Sequence, residues 1–255
     1  MEWTADVAAG GWIRDRLDDP WRGTMHDVVP HGFAAYARIL HPRVSELSRE
    51  REEGRIDPAV LSVVASHLAA HSGTPEIHVA VWDGWGGLVG GLGVPPTPAV
   101  ARSSNADGED SADPAVLERH REMLARSIHD PFNNVFRKHV WLPGILSDEI
   151  SRGPRLVLPH REHVLFRGTI DELMDAAWAQ RVPWAEPQAP QFTASPSLVW
   201  PDDRAWVLAT DVDADATIVA GPPALIRTLS TDARIEADPI AEGTVLGPFA
   251  DADGA

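Results

Sequence analysis

The side chains best suited to chemistry are the histidines. His67 and His71 stand four apart, and His78 follows shortly after. On a helix that spacing puts two imidazoles on one face, where they can share a metal ion. A zinc hydrolase of the HExxH type needs Glu directly after the first His, and Leu68 stands there instead. Spacing fixes no third ligand, and a His near a helix C-terminus has an ordinary use against the last carbonyls. The expectation is a chain with no metal site and no cofactor.

Asp211, Asp213 and Asp215 alternate as at the start of an EF-hand loop. Ala216 stands where that loop needs Gly, and Pro222 where it needs its bidentate Glu. In an extended strand the three carboxylates would share one face and make an acidic surface. The glycines from Gly84 to Gly93 follow an apolar run, but Gly91-Leu92-Gly93 leads into Val94-Pro95-Pro96. No helix opens there to offer its amides to a phosphate. The single Lys is Lys138, which excludes a P-loop, and no Gly-x-Ser-x-Gly elbow presents a Ser nucleophile. Ten Trp against one Tyr is the oddest feature of the composition. Trp combines a large apolar area with one N–H donor, which suits cores and binding surfaces alike. Core packing is the ordinary use of Trp82 and Trp206, whereas Trp85, set among glycines, reads as exposed. The candidate binding residues are Trp85, Trp200, Trp206, Asp211, Asp213 and Asp215.

Charge narrows the partners. The 255 residues carry 22 basic and 38 acidic side chains, a net charge of −16. From Asp202 onward there are eleven acids against three Arg. Polyanions and anionic membrane surfaces repel such a chain, so nucleic acid and membrane are excluded as partners and a basic protein is favoured. Zero Cys removes disulfides, thiolate nucleophiles and thiolate metal sites. Met1 to Gly10 lacks the basic and apolar regions of a signal peptide, and no apolar run is long enough to span a bilayer. The expected location is the cytoplasm.

The elements that would position these groups follow from pattern. Asp57-Pro58 opens a helix whose apolar stripe is Val60, Leu61, Val64, Ala65 and Leu68, ending at Ser72-Gly73. A second start, Asp113-Pro114, and a short helix near Gly11 follow the same logic. Between Pro30 and Pro42, residues 31–41 read as a strand, although helical spacing fits them too. Ile77 to Trp82 is a clear strand, and 155–158 with 163–167 form a pair joined at Pro159. Thr169 to Glu172 is a capping box opening a helix through about Trp178. Residues 205–211 and 217–220 pair across an acidic turn, a helix follows Pro222-Pro223, and 234–236 add a last strand. This irregular alternation predicts an α+β fold, a mixed, largely antiparallel sheet with short helices packed on it. It predicts one domain over residues 1–248, with a flexible segment at 95–113 and a disordered tail at 249–255.

Four stretches carry a resemblance when taken together. They are Val28 to Pro42 (VVPHGFAAYARILHP), Val81 to Gly86 (VWDGWG), Leu158 to Gly168 (LPHREHVLFRG), and Ser197 to Val207 (SLVWPDDRAWV) continuing to Gly221. In this order the chain resembles a family of uncharacterised actinobacterial proteins, from about Gly11 to Ile240. His160 and His163 depart from that pattern, where Gly and an aromatic are expected. The resemblance implies one integrated fold and supplies no catalytic residue. With no complete catalytic set, an acidic C-terminal end and abundant Trp, the expected function is a non-enzymatic, cytoplasmic binding protein. An inhibitor or immunity-type partner of another protein is its concrete form. The alternative is a hydrolase-like or small-ligand-binding protein with a Trp/Asp/His-lined pocket, metal-dependent or not.

Overall fold

A computed structural model describes residues 1–19, 22–45, 48, 50–93 and 139–245. The expected flexible segment at 95–113, the helix start at Asp113 and the tail at 249–255 lie outside the described residues.

Eleven strands are described. β1 is Glu2–Trp3, β2 Ala35–Leu40, β3 Glu76–Trp82, β4 Gly91–Gly93, β5 Val140–Leu142 and β6 Leu156–Val157. β7 is Glu162–Thr169, β8 Leu198–Pro201, β9 Val207–Thr210, β10 Ala216–Gly221 and β11 Ala237–Ile240. Nine of them form one sheet in the order β1-β7-β3-β8-β9-β10-β2-β11, with β6 also on β7, while β4 and β5 make a separate ribbon. All the pairings are antiparallel, and β3 lies between β7 and β8, so early and late parts of the chain share the sheet. This is the α+β architecture that the sequence pattern predicts.

Alternation sorts the strand residues between two covered faces. Ile77, Val79 and Val81 join Val164, Phe166, Leu208 and Val219 on one face, under the helices α2 (Pro58–Ala69) and α3 (Pro223–Thr231). Ala80, Leu165, Trp200, Val207 and Ile218 face the other way, under Trp12, Ile13, Met25 and Val29 of the N-terminal layer. That layer holds the short helix α1 (Gly11–Arg14) and a 3₁₀ turn at Met25–Asp27. Because both faces are dry, β10 is buried at every residue.

α2 forms as its start signal dictates. The Asp57 side chain accepts from the N–H groups of Ala59 and Val60, and Leu61, Val64, Ala65 and Leu68 are buried. Its far end is closed from the core, since Trp206 Nε1 donates to the Leu68 carbonyl at 3.1 Å and to Ser72 Oγ at 2.7 Å. Residues 35–40 are a strand, as the bracketing prolines imply.

Three expectations need correction. The Thr169 capping box opens a 3₁₀ turn, Ile170–Glu172, and a second one at Ala176–Gln180 starts on its own cap, Asp175. That interposed cap prevents one continuous helix through Trp178. The last strand lies at Ala237–Ile240, where Asp238 pairs with Arg38 of β2. Finally, β9 ends at Thr210 and β10 starts at Ala216, so Asp211, Asp213 and Asp215 occupy the connecting turn and share no strand face. Gly54 grips that turn: its N–H donates to the Ala214 carbonyl at 2.8 Å, and a Cβ there would strike the Val212 backbone. No helix among the described residues is long and apolar enough to cross a membrane.

Candidate functional site

Arg161 is the pivot of a cluster of charged and aromatic side chains. It closes the turn between β6 and β7, its carbonyl accepting from the Leu158 N–H at 3.0 Å. From there its guanidinium reaches Asp213 Oδ2 at 2.6 Å and Asp211 Oδ1 at 3.4 Å. It also lies over the Trp82 ring, 4.7 Å from the centroid, and Trp85 meets Trp82 edge-on at 6.0 Å. Four of the residues singled out by sequence analysis are thus placed around one cation: Trp82, Trp85, Asp211 and Asp213. Trp85 is half-buried. Asp215 is exposed and outside this group, its backbone carbonyl bound by the His41 N–H.

The other two expected binding residues are core. Trp200 is 1% and Trp206 0% exposed, so neither ring is presented to a partner. Trp200 stacks inside against His78, and Trp206 spends its N–H on the end of α2. The three histidines of the metal test have separate partners: His67 bonds Asp232, His71 the His67 carbonyl, and His78 Asp202.

Beneath Arg161 lies a cavity of about 30 Å³, lined by Asp27, His160, Arg161, His163, Ser197 and Thr210, with Leu17, Leu158 and Leu198 filling its apolar side. One water centre needs roughly 10–15 Å³, so the space holds about two water-sized groups. Two lining atoms are buried without a hydrogen-bond partner: Asp27 Oδ1 and Arg161 Nε. The other Asp27 oxygen is held by the Gly23 N–H at 2.8 Å, which fixes the carboxylate's direction. Burial pushes His163 down to about 4, so it is neutral at pH 7.

A buried chain behind the cavity sets the polarity of Thr210. His41 Nδ1 is 2.9 Å from the Glu52 carbonyl, which can only accept, so that nitrogen carries the proton. Burial pushes His41 down to about 4, leaving Nε2 a bare acceptor for the Thr217 hydroxyl at 2.9 Å. Thr217 Oγ1 must then accept from Thr210, 2.8 Å away. The Thr210 proton therefore points into the core, and Thr210 offers the cavity lone pairs alone. The cavity thus sets acceptors on Asp27 and Thr210 against a donor on Arg161.

Two larger clefts, about 390 Å³ beside Trp178 and about 490 Å³ beside Arg167, are more open to solvent. Their charges are largely matched, Arg181 with Asp175, Arg167 with Asp202, and the Met1 amine with Glu172. No family model matches the chain, and neither a curated protein nor a solved structure matches it.

Sequence reading missed Asp27, Arg161, His163 and Thr210 as a set. The available signal was His160-Arg161-Glu162-His163, a polar run at the tip of a strand pair.

Proposed function

We propose that this protein binds a small polar ligand by inserting a hydroxyl or primary amide into the cavity under Arg161. The observation that carries this reading is the pair of buried, unpartnered atoms, Asp27 Oδ1 and Arg161 Nε, lining one space. Leaving such groups unmet costs about 1–3 kcal/mol each, and a group with one donor and one acceptor satisfies Asp27 and Arg161 together. The Arg161 charge is already matched by Asp211 and Asp213, which favours a neutral ligand over an anion.

An acidic partner of another protein, the reading favoured by net charge, has less support. Trp200 and Trp206 are buried, and Asp211 and Asp213 are paired with Arg161.

The test is a nitrogen–proton NMR titration of the intact chain with glycerol and with acetamide. At a ceiling of about 1.5 kcal/mol per heavy atom, acetamide binds no tighter than roughly 40 μM. Saturable shifts at the Arg161 Nε–H and at residues 160–163 are expected, and D27N should weaken them about tenfold or more. Shifts that never saturate with either probe, or that are equal in D27N, would overturn the reading.

A further inference from the structure

A second polar cluster lies on the other side of the Met25–Asp27 turn, and it stands independently of the cavity. His26 is 2% exposed, and its Nδ1 is 2.9 Å from the Val29 carbonyl oxygen. A carbonyl accepts and never donates, so Nδ1 holds the proton and Nε2 presents a lone pair. That Nε2 is buried, has no hydrogen-bond partner, and lies 3.7 Å from Glu242 Oε1. His31 repeats the arrangement. Its Nε2 donates to Asp18 Oδ1 at 3.0 Å, so in the neutral ring Nδ1 carries the lone pair, 3.6 Å from the same Glu242 oxygen.

Three lone-pair-bearing groups therefore converge, with one atom from each within 4.8 Å of the others. They repel unless positive charge sits among them. A shared proton fits poorly, because 3.6 and 3.7 Å exceed hydrogen-bonding range. The Tyr36 hydroxyl gives Glu242 a long contact of 3.4 Å and leaves both nitrogens unmet. A metal ion bound at about 2.0–2.2 Å sets tetrahedral ligands roughly 3.3–3.6 Å apart, close to the 3.6 and 3.7 Å that separate Glu242 from the two imidazoles. Each imidazole also has its far nitrogen pinned by an oxygen, the outer support that metal-bound histidines use.

We propose that His26, His31 and Glu242 form a binding site for a divalent transition metal ion. Two imidazoles and one carboxylate match zinc and its neighbours, with a further position left for water. Calcium and magnesium prefer oxygen donors throughout. The rings are stacked, centroids 3.5 Å apart and planes 20° from parallel, so one must turn for both lone pairs to reach one ion. His31 has the room, its side chain being 44% exposed, and the 57% exposed Glu242 can follow it. His26, held in the core, is the fixed point.

The experiment titrates the chelator-treated full chain with Co²⁺, followed by visible d–d absorption, and then displaces it with Zn²⁺. One Co²⁺ per chain is expected, with the bands of a four- or five-coordinate ion. H31A and E242Q, at a partly exposed and an exposed position, should each weaken binding about tenfold or more. Zn²⁺ should raise the melting temperature of the wild type and not of E242Q. H71A, altering a histidine just beyond the end of α2, should bind as the wild type does. Absence of saturable binding, binding that survives in both H31A and E242Q, or loss confined to H71A would overturn the proposal. D27N should leave Co²⁺ binding intact, so this site and the neighbouring cavity succeed or fail separately.

Discussion

Single side chains decide the chemistry of this protein, and Thr217 shows how much one hydroxyl can carry. It is fully buried, donates to His41 and accepts from Thr210. T217V removes both links while keeping the shape, leaving His41 Nε2 without a donor in the core. A loss of about 1–3 kcal/mol in urea denaturation is expected, and T217S should recover most of it. T217V should also free the Thr210 proton to turn into the cavity. A stability equal to wild type would mean that the chain is not a continuous set of bonds. None of this was legible in the sequence. His41 and Thr217 are far apart in it, and neither type is unusual in a strand. The residues singled out by that reading and gathered around Arg161 in the fold, Trp85, Asp211 and Asp213, are those whose composition was odd enough to notice. The organising residue, Arg161, looked like any other Arg in a chain where Arg outnumbers Lys 21 to one. His26 and His31 were missed for a related reason. Their third partner, Glu242, arrives only when β11 returns beside β2.

At the scale of elements the reading fared better, because local signals act over short distances. Asp57-Pro58 starts α2, and D57A should cost about 1 kcal/mol by removing the acceptor for the Ala59 and Val60 amides. The other end of α2 depends on a residue from β9's side of the sheet. W206F deletes the donor to Leu68 and Ser72 and leaves a small void, so a loss of about 1–3 kcal/mol is expected. Chemical denaturation compares the two, and W206F costing less than D57A would show that the indole N–H adds little. The asymmetry explains what was readable. A helix start is written in adjacent residues, whereas its end here is written by a tryptophan from a distant segment. Likewise the capping box at Thr169 was legible, but not that Asp175 would restart the chain in a second 3₁₀ turn. The two-residue strand β1 has no pattern of its own and exists because β7 offers it an edge.

Covering both faces of one sheet buries polar groups along with apolar ones, and this governs how the whole molecule responds to acid. His41 and His163 each fall from an ordinary 6.5 to about 4 on folding, chiefly because burial penalises their charged form. Between those two values the unfolded chain binds protons that the native chain refuses, so stability falls as pH falls through that window. Above about pH 6.5 the full contribution is present, and by pH 4.5 each histidine has lost about 2–3 kcal/mol. Against a typical total of about 5–15 kcal/mol, two such groups are enough to bring the molecule near unfolding. Asp18, Asp175 and Asp232, held below the usual carboxylate range by partners such as His31, Ala177 and Arg234, lose their contributions only at still lower pH. Relief of the −16 net charge works in the opposite direction, but it is spread over an exposed surface and screened by salt. Urea denaturation at pH 7.5, 5.5 and 4.5 in constant salt should therefore show a steep decline across the histidine window. H41Q and H163N, which cannot take up a proton, should each flatten that slope by about half, whatever their effect on stability at pH 7.5. A slope unchanged in both variants would place the acid sensitivity on the carboxylates instead of the buried imidazoles.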